Sequence, residues 1–164
     1  MCAAPATARI ETPIGMIELV ARDDALTSVR IFPGTGKEVA DRQNSALDCA
    51  VEQMRDYFAG QRKFFDLPLE AATSPEAHQL RCAIAAIPFG ETETYGAVAL
   101  RAGTIARAIG QACKSNPFPI IIPCHRVISS SGREYYSAGA GPETKAWLID
   151  FEAVHSHGIR TRLL

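Results

Sequence analysis

The run Asn116-Pro117-Phe118-Pro119-Ile120-Ile121-Ile122-Pro123-Cys124-His125-Arg126-Val127-Ile128 holds the residues best suited to chemistry. A cysteine is inert as a thiol and reactive as a thiolate, so it needs a neighbour that takes or shares its proton. His125 is adjacent in sequence, but adjacent residues on a strand or helix do not face each other, so the contact must run through water or a local turn. A carboxylate orienting the imidazole would complete a Cys-His-acid relay, and Glu152 near the C-terminus is the candidate. The competing reading is a structural Cys-His pair. The chain has 5 cysteines. Cys2, Cys49, Cys82 and Cys113 stand alone, without the two-residue spacing of zinc or thioredoxin motifs, and are expected to be buried small hydrophobes. His78, His125, His155 and His157 form no ligand set, with His155 and His157 read as solvated, so neither a metal nor a soluble cofactor is expected.

The elements that must position these residues show in the periodicity. Between Ala8 and Phe32, short apolar runs (Ile10; Ile14 to Ile17; Leu19 to Ala21; Leu26 to Ile31) alternate with polar breaks. With a turn at Pro13-Ile14-Gly15 they predict a small antiparallel sheet. Leu47, Val51, Met54, Tyr57 and Phe58 recur at steps of about three to four residues, predicting a helix over 45–58 that Gly60 ends. Phe64 to Leu69 is predicted to return as a strand. Ser74-Pro75 forms an N-cap and first turn, followed by the stripe Leu80, Ala83, Ile84, Ile87. Thr94 to Leu100 predicts a short helix closed by Gly103, and Thr104 is expected to cap a second helix to about Lys114. Two short helices around a tight glycine turn resemble a helix-turn-helix, although many helical cores contain such a pair. Ile120-Ile121-Ile122 reads as a buried strand leading to Cys124. A Ser/Gly-rich loop over 129–141 precedes a last helix from Pro142 to about Val154, its apolar side drawn from Ala146, Trp147, Leu148 and Ile149. The fold class is α/β (α+β), divided into a mixed unit over 1–73 and a helical unit over 74–164.

The bulk composition permits a packed core: 164 residues, 47% of them hydrophobic. No apolar run approaches the roughly 20 residues that span a bilayer, and the first residues lack a signal-peptide pattern, so a cytoplasmic protein is expected. The net charge of −1 argues against a histone-like basic coat. The charge is uneven, however. Residues 1–75 carry 8 Lys/Arg against 11 Asp/Glu, whereas 80–134 carry Arg81, Arg101, Arg107, Lys114, Arg126 and Arg133 against Glu91, Glu93 and Glu134. A basic middle permits a local phosphate-binding face, although taken alone it reads first as ordinary solvated surface charge.

The Asn-Pro to Pro-Cys-His-Arg run resembles the active-site signature of the O6-alkylguanine-DNA alkyltransferases. The resemblance extends through Thr94-Tyr95-Gly96, Arg107-Ala108-Ile109-Gly110, Lys145, Trp147-Leu148 and Glu152, and more loosely through Thr12 to Gly15 and Tyr57 to Gly60. It implies a DNA-repair methyltransferase of the methylated-DNA–protein-cysteine type. Such a protein is stoichiometric and self-inactivating and acts on double-stranded DNA bearing O6-alkylguanine in the minor groove; a monomer is expected. Flipping is required, because a thiol cannot attack in line while the base is stacked. By resemblance Cys124 is nucleophile and permanent alkyl acceptor, His125 shares its proton through water, and Glu152 holds the histidine. Asn116 ties the segment to the active-site turn. Tyr95 crowds the phosphate and donates a hydrogen bond to the leaving guanine. Arg107 fills the vacated stack from the helix that also carries Ala108 and Gly110. The Cys124 and Val127 carbonyls and the Pro119 ring line the base pocket. Counting forward from Cys124 puts Ser137 at the pocket tyrosine's place, counting back from Lys145 puts Ala138 there, and residue type favours Tyr136.

The sequence departs from the family pattern in three places: a helix-to-helix turn shorter by about two residues, Pro75 and Arg81 where aromatics are usual, and the loop over 135–141. Two other functions stay open on sequence: a lesion-binding module that does not accept the alkyl group, and a thiol protein acting on electrophiles other than DNA.

Overall fold

The computed structural model describes residues 3–132 and 135–161, with only the backbone over 157–161. Cys2, Arg133, Glu134 and the side chain of His157 lie outside the described residues. Two compact units emerge, one of Met1–Glu70 with Ala138–Ala140 and the other of Ala71–Ser137 with Gly141–Leu164.

In the first unit β1 (Ala6–Thr12), β2 (Gly15–Arg22) and β3 (Ala25–Phe32) form an antiparallel meander. The turn before β2 requires glycine, because Gly15 has φ 118° and a Cβ there would lie 2.1 Å from the Phe32 carbonyl oxygen. The register sets Ile10 opposite Ile17 and Ile17 opposite Ile31, and all three are buried. Period-two alternation thus builds one apolar face. Onto it packs α1 (Ser45–Phe58), begun by Asn44, whose side chain accepts from Leu47 N, and burying Leu47, Ala50, Met54 and Tyr57. A short strand absent from the sequence reading, β4 (Val39–Ala40), pairs with the free edge of β1. The predicted strand over Phe64–Leu69 does not form. Only Leu69 makes a bridge, to Leu26, and Pro68, which has no N–H, contributes its carbonyl alone.

The second unit begins with α2 (Pro75–Ala85), capped by Ser74 and burying Ala83 and Ile84. The pair α3 (Tyr95–Ala102) and α4 (Ala106–Lys114) follows. Gly103, at φ 69°, closes α3 in the left-handed region. Thr104 is not the cap of α4. Its N–H donates to the Ala99 carbonyl at 2.9 Å as part of the closure of α3, and Ile105 precedes α4 without a side-chain cap. The last helix, α5 (Pro142–Thr161), runs beyond Val154. Its buried face is not the apolar set expected: Thr144, Lys145, Leu148 and Glu152 are buried, and Ala146 is exposed. No helix among the described residues is long and apolar enough to cross a membrane.

Candidate active site

Ile120-Ile121-Ile122 is not a strand. The Ile122 N–H donates to the Phe118 carbonyl at 2.9 Å, making a single turn in which buried Ile120 takes φ 75°. Prolines on either side of the run and the side chain of Asn116 override its β-propensity. Asn116 Oδ1 accepts from Phe118 N at 2.9 Å. Its Nδ2 donates to the Ile122 carbonyl at 2.9 Å and to Cys124 Sγ at 3.2 Å. One amide therefore locks the turn and grips the thiol. Cys124 opens a one-turn 3-10 helix, Cys124–Arg126, which runs into β6 (Val127–Ile128). β6 pairs in parallel with β5 (Glu93–Thr94), the segment that caps α3. This two-rung ladder brings the cysteine segment beside Tyr95 at the start of α3.

His125 is fully buried, and its Nε2 lies 2.7 Å from Glu152 Oε1. Arg126 clamps the same carboxylate, Nε to Oε2 at 2.8 Å and Nη2 to Oε1 at 2.9 Å, while Nη1 donates to the Ile87 carbonyl at 2.7 Å. Burial acts to raise the Glu152 carboxyl, but the hydrogen bonds from His125 and Arg126, with the Arg126 charge, outweigh it and hold the group at about 2. An ionised carboxylate only accepts, so Nε2 carries the imidazole proton and Nδ1 is left as the basic nitrogen. Nδ1 is buried and has no hydrogen-bond partner among the described residues. Desolvation pushes the His125 pKa down despite Glu152, so the ring is neutral and able to receive a proton. Burial pushes the Cys124 thiol up, while the Asn116 bond and the Lys145 charge favour the thiolate.

Two expected outcomes follow from this network. Arg126→Met removes two donors from a buried carboxylate, and breaking one partner of such a pair costs about 3–5 kcal/mol. A fall of that size in urea-unfolding free energy checks it. The pH dependence of stability has two windows. His125, depressed below 6.5, stays neutral in the fold while the unfolded chain protonates, so stability drops as pH falls below about 6.5. Glu152, lowered from 4.5 to about 2, contributes stability that is lost between those values. Urea midpoints measured from pH 8 to 3 are expected to begin falling near 6.5. A flat profile down to 4.5 would contradict a neutral buried histidine.

Cys124 opens into a cavity of about 580 Å³ lined by Tyr95, Arg107, Gly110, Cys113, Tyr136 and Ser137 among others. Of the residues singled out in the sequence, Cys124, Tyr95, Arg107, Gly110 and Ser137 therefore share one cavity; Asn116 bonds the thiol from outside the lining, and His125 and Glu152 form their own buried pair. Ala108 lies on α4 but is not in the lining, where Ala106 stands instead. Pro119 is buried and also outside the lining. The Val127 carbonyl accepts from Lys145 Nζ at 2.6 Å. Both Tyr136 and Ser137 face the cavity, whereas Ala138 packs with the first unit.

Sequence reasoning assigned no role to Arg126, to Cys113, or to fully buried Lys145, whose ammonium also lies 5.7 Å from the Tyr95 ring centre. The expected burial of the other cysteines fails: Cys49 and Cys82 are exposed and Cys113 is half-buried in the cavity wall. Much of the basic excess is also spoken for, Arg126 by Glu152 and Arg101 by Glu93 at 3.0 Å. Arg107 and Lys114 remain at the cavity.

Fold and site together define a protein that presents one buried cysteine, bonded by Asn116, to a pocket beside the α3–α4 helix pair, and the comparisons agree. Residues 7–71 match the model of the 6-O-methylguanine DNA methyltransferase ribonuclease-like domain, and 77–154 that family's DNA binding domain. The methylated-DNA–protein-cysteine methyltransferase of Mycolicibacterium paratuberculosis is 37% identical over 152 residues, covering 90% of this chain and 92% of that one. The constitutive enzyme of Bacillus subtilis is 33% identical over 153 residues, covering 88% and 93%. The crystal structure of Mycobacterium tuberculosis O6-methylguanine methyltransferase superposes with a TM-score of 0.79 at 33% identity, covering 93% and 94%. That organism's OGT in complex with DNA gives 0.72 at 32% identity, covering 90% and 92%. The chain belongs to the methylated-DNA–protein-cysteine methyltransferase family.

Proposed function

We infer that the protein repairs duplex DNA by accepting the alkyl group of O6-alkylguanine on Cys124, once per molecule. The observation that carries this reading is Cys124 at the wall of a cavity of about 580 Å³, within the range that encloses a small ligand, with Tyr95 and Arg107 in the same lining. The base is rotated out of the stack into this cavity, and Arg107 occupies the space it leaves. The thiol proton passes through one water to His125 Nδ1, Glu152 steadying the imidazolium that forms. The sulfur electron pair then attacks the alkyl carbon, the S–C bond forms, and the C–O6 bond breaks with its electrons moving onto guanine, which takes up one proton from the site as the imidazolium gives its own back. The Tyr95 hydroxyl donates a hydrogen bond to the leaving base. Burial keeps Cys124 as a thiol at rest, and Asn116 and Lys145 stabilise charge on the sulfur as the proton leaves.

Residues 74–164 carry this acceptor chemistry, and Ala108, Pro119 and Val127 act as supports of the DNA-facing helix and the base pocket. The reducing cytoplasm is the proposed compartment, because it keeps Cys124 free. The thioether product has no easy hydrolytic exit, so turnover is not expected. Titrating the protein with excess duplex carrying radiolabelled methylguanine should plateau at one methyl per molecule. Repair of several lesions per molecule, with the Cys124 thiol still free, would overturn the reading.

A further inference from the structure

Cys113 shares the cavity lining with Cys124, and nothing in alkyl transfer uses it. Asn116 joins the two cysteines: its backbone N–H donates to the Cys113 carbonyl at 3.3 Å, and its side chain donates to Cys124 Sγ at 3.2 Å. We propose that Cys113 and Cys124 form a two-thiol oxidation site, in which hydrogen peroxide converts Cys124 to a sulfenic acid and Cys113 closes on it as a disulfide. The proposal rests on Cys124 being the reactive thiol of the alkyl-acceptor reading.

In the first step the Cys124 sulfur, its proton passed to His125 as in alkyl transfer, attacks a peroxide oxygen. An S–O bond forms, the O–O bond breaks, and the other oxygen leaves as water with the thiol proton. In the second step the Cys113 sulfur attacks the Cys124 sulfur. The S–S bond forms, the S–O bond breaks, and the departing hydroxide takes the Cys113 proton as a second water. The two thiols supply the two electrons that reduce the peroxide. Burial pushes the Cys113 thiol up to about 12, charge on Cys124 adds to that rise, and Lys145 opposes it. Because burial holds the Cys113 proton, disulfide formation is expected to speed up as pH rises. The disulfide caps the acceptor before it passes to the irreversible sulfinic acid, and a thiol reductant restores it.

The test treats the full chain with hydrogen peroxide, blocks remaining thiols, and reads intact mass and peptides before and after dithiothreitol. The wild-type protein is expected to lose about 2 Da before blocking and to take up two fewer blocking groups, to yield a linked Cys113–Cys124 peptide, and to regain most of its own untreated transfer activity on reduction. Cys113→Ser is expected to gain about 32 Da at Cys124 and to stay inactive after dithiothreitol, relative to its own untreated sample. The absence of the linked peptide from wild type, or equal recovery of Cys113→Ser, would overturn the proposal. The linked peptide is read by mass alone, so a failure of alkyl transfer with the peptide present would count against the repair reading and not against this one.

Discussion

Cys124→Ser is expected to bring alkyl transfer from methylated duplex down to background, a loss of about 10³-fold or more, while the protein stays folded. A serine hydroxyl is far less acidic and less nucleophilic than a thiol, and the neutral imidazole of His125 cannot make up the difference. The fold should tolerate the change, because Asn116 Nδ2, which donates to the sulfur at 3.2 Å, offers the same bond to a hydroxyl in a site only 5% exposed. Transfer assayed alongside thermal unfolding separates lost chemistry from lost structure. Substantial transfer by a folded Cys124→Ser protein would place the acceptor elsewhere, with Cys113 the other thiol in the cavity wall.

Arg107→Ala is expected to slow repair of duplex DNA by about 10- to 100-fold and to leave reaction with the free alkylated base nearly unchanged. Flipping a base costs a few kcal/mol, and a planar guanidinium in the gap recovers part of it. Arg107 sits exposed in the first turn of α4 and lines the same cavity as Cys124, the position from which it is proposed to enter the vacated stack. Two other cations serve as controls. Lys114 also lines the cavity, and Arg101 is engaged by Glu93. If Arg107 were one phosphate contact among several, its loss would cost no more than theirs. Equal slowing on duplex and free base, or none on duplex, would show that it does not fill the stack.

The parts of the fold legible in the sequence are those fixed by local chemistry. α1 was marked by its three- and four-residue apolar steps, α2 by Ser74-Pro75, and the end of α3 by Gly103. The misreadings lie where tertiary bonds override local preference. Three isoleucines in a row have strand propensity, yet prolines and the Asn116 side chain wind them into a turn. Thr104 is a good cap by type, yet its N–H is consumed by closing α3. β4, β5 and β6 are two residues each, too short to carry a period, although the β5–β6 pairing sets Cys124 beside Tyr95.

The site followed the same division. Cys124, His125 and Glu152 could be named from the chemistry each needs. Arg126 and Lys145 could not, because a cation is buried only when a distant partner accepts it, here Glu152 and the Val127 carbonyl. Two counts along the 135–141 loop and a match by residue type gave three residues at one pocket position, and the cavity takes two of them, Tyr136 and Ser137. The buried Tyr136 hydroxyl has no hydrogen-bond partner among the described residues, which suits a group facing a ligand.

The central claim is most directly tested by intact mass and peptide mapping after one incubation with duplex DNA containing a single O6-methylguanine. The reading predicts a gain of about 14 Da, confined to the Cys124 peptide and equal in amount to the lesions lost. An unchanged mass while lesions disappear, or a methyl group mapped to Cys2, Cys49, Cys82 or Cys113, would contradict it.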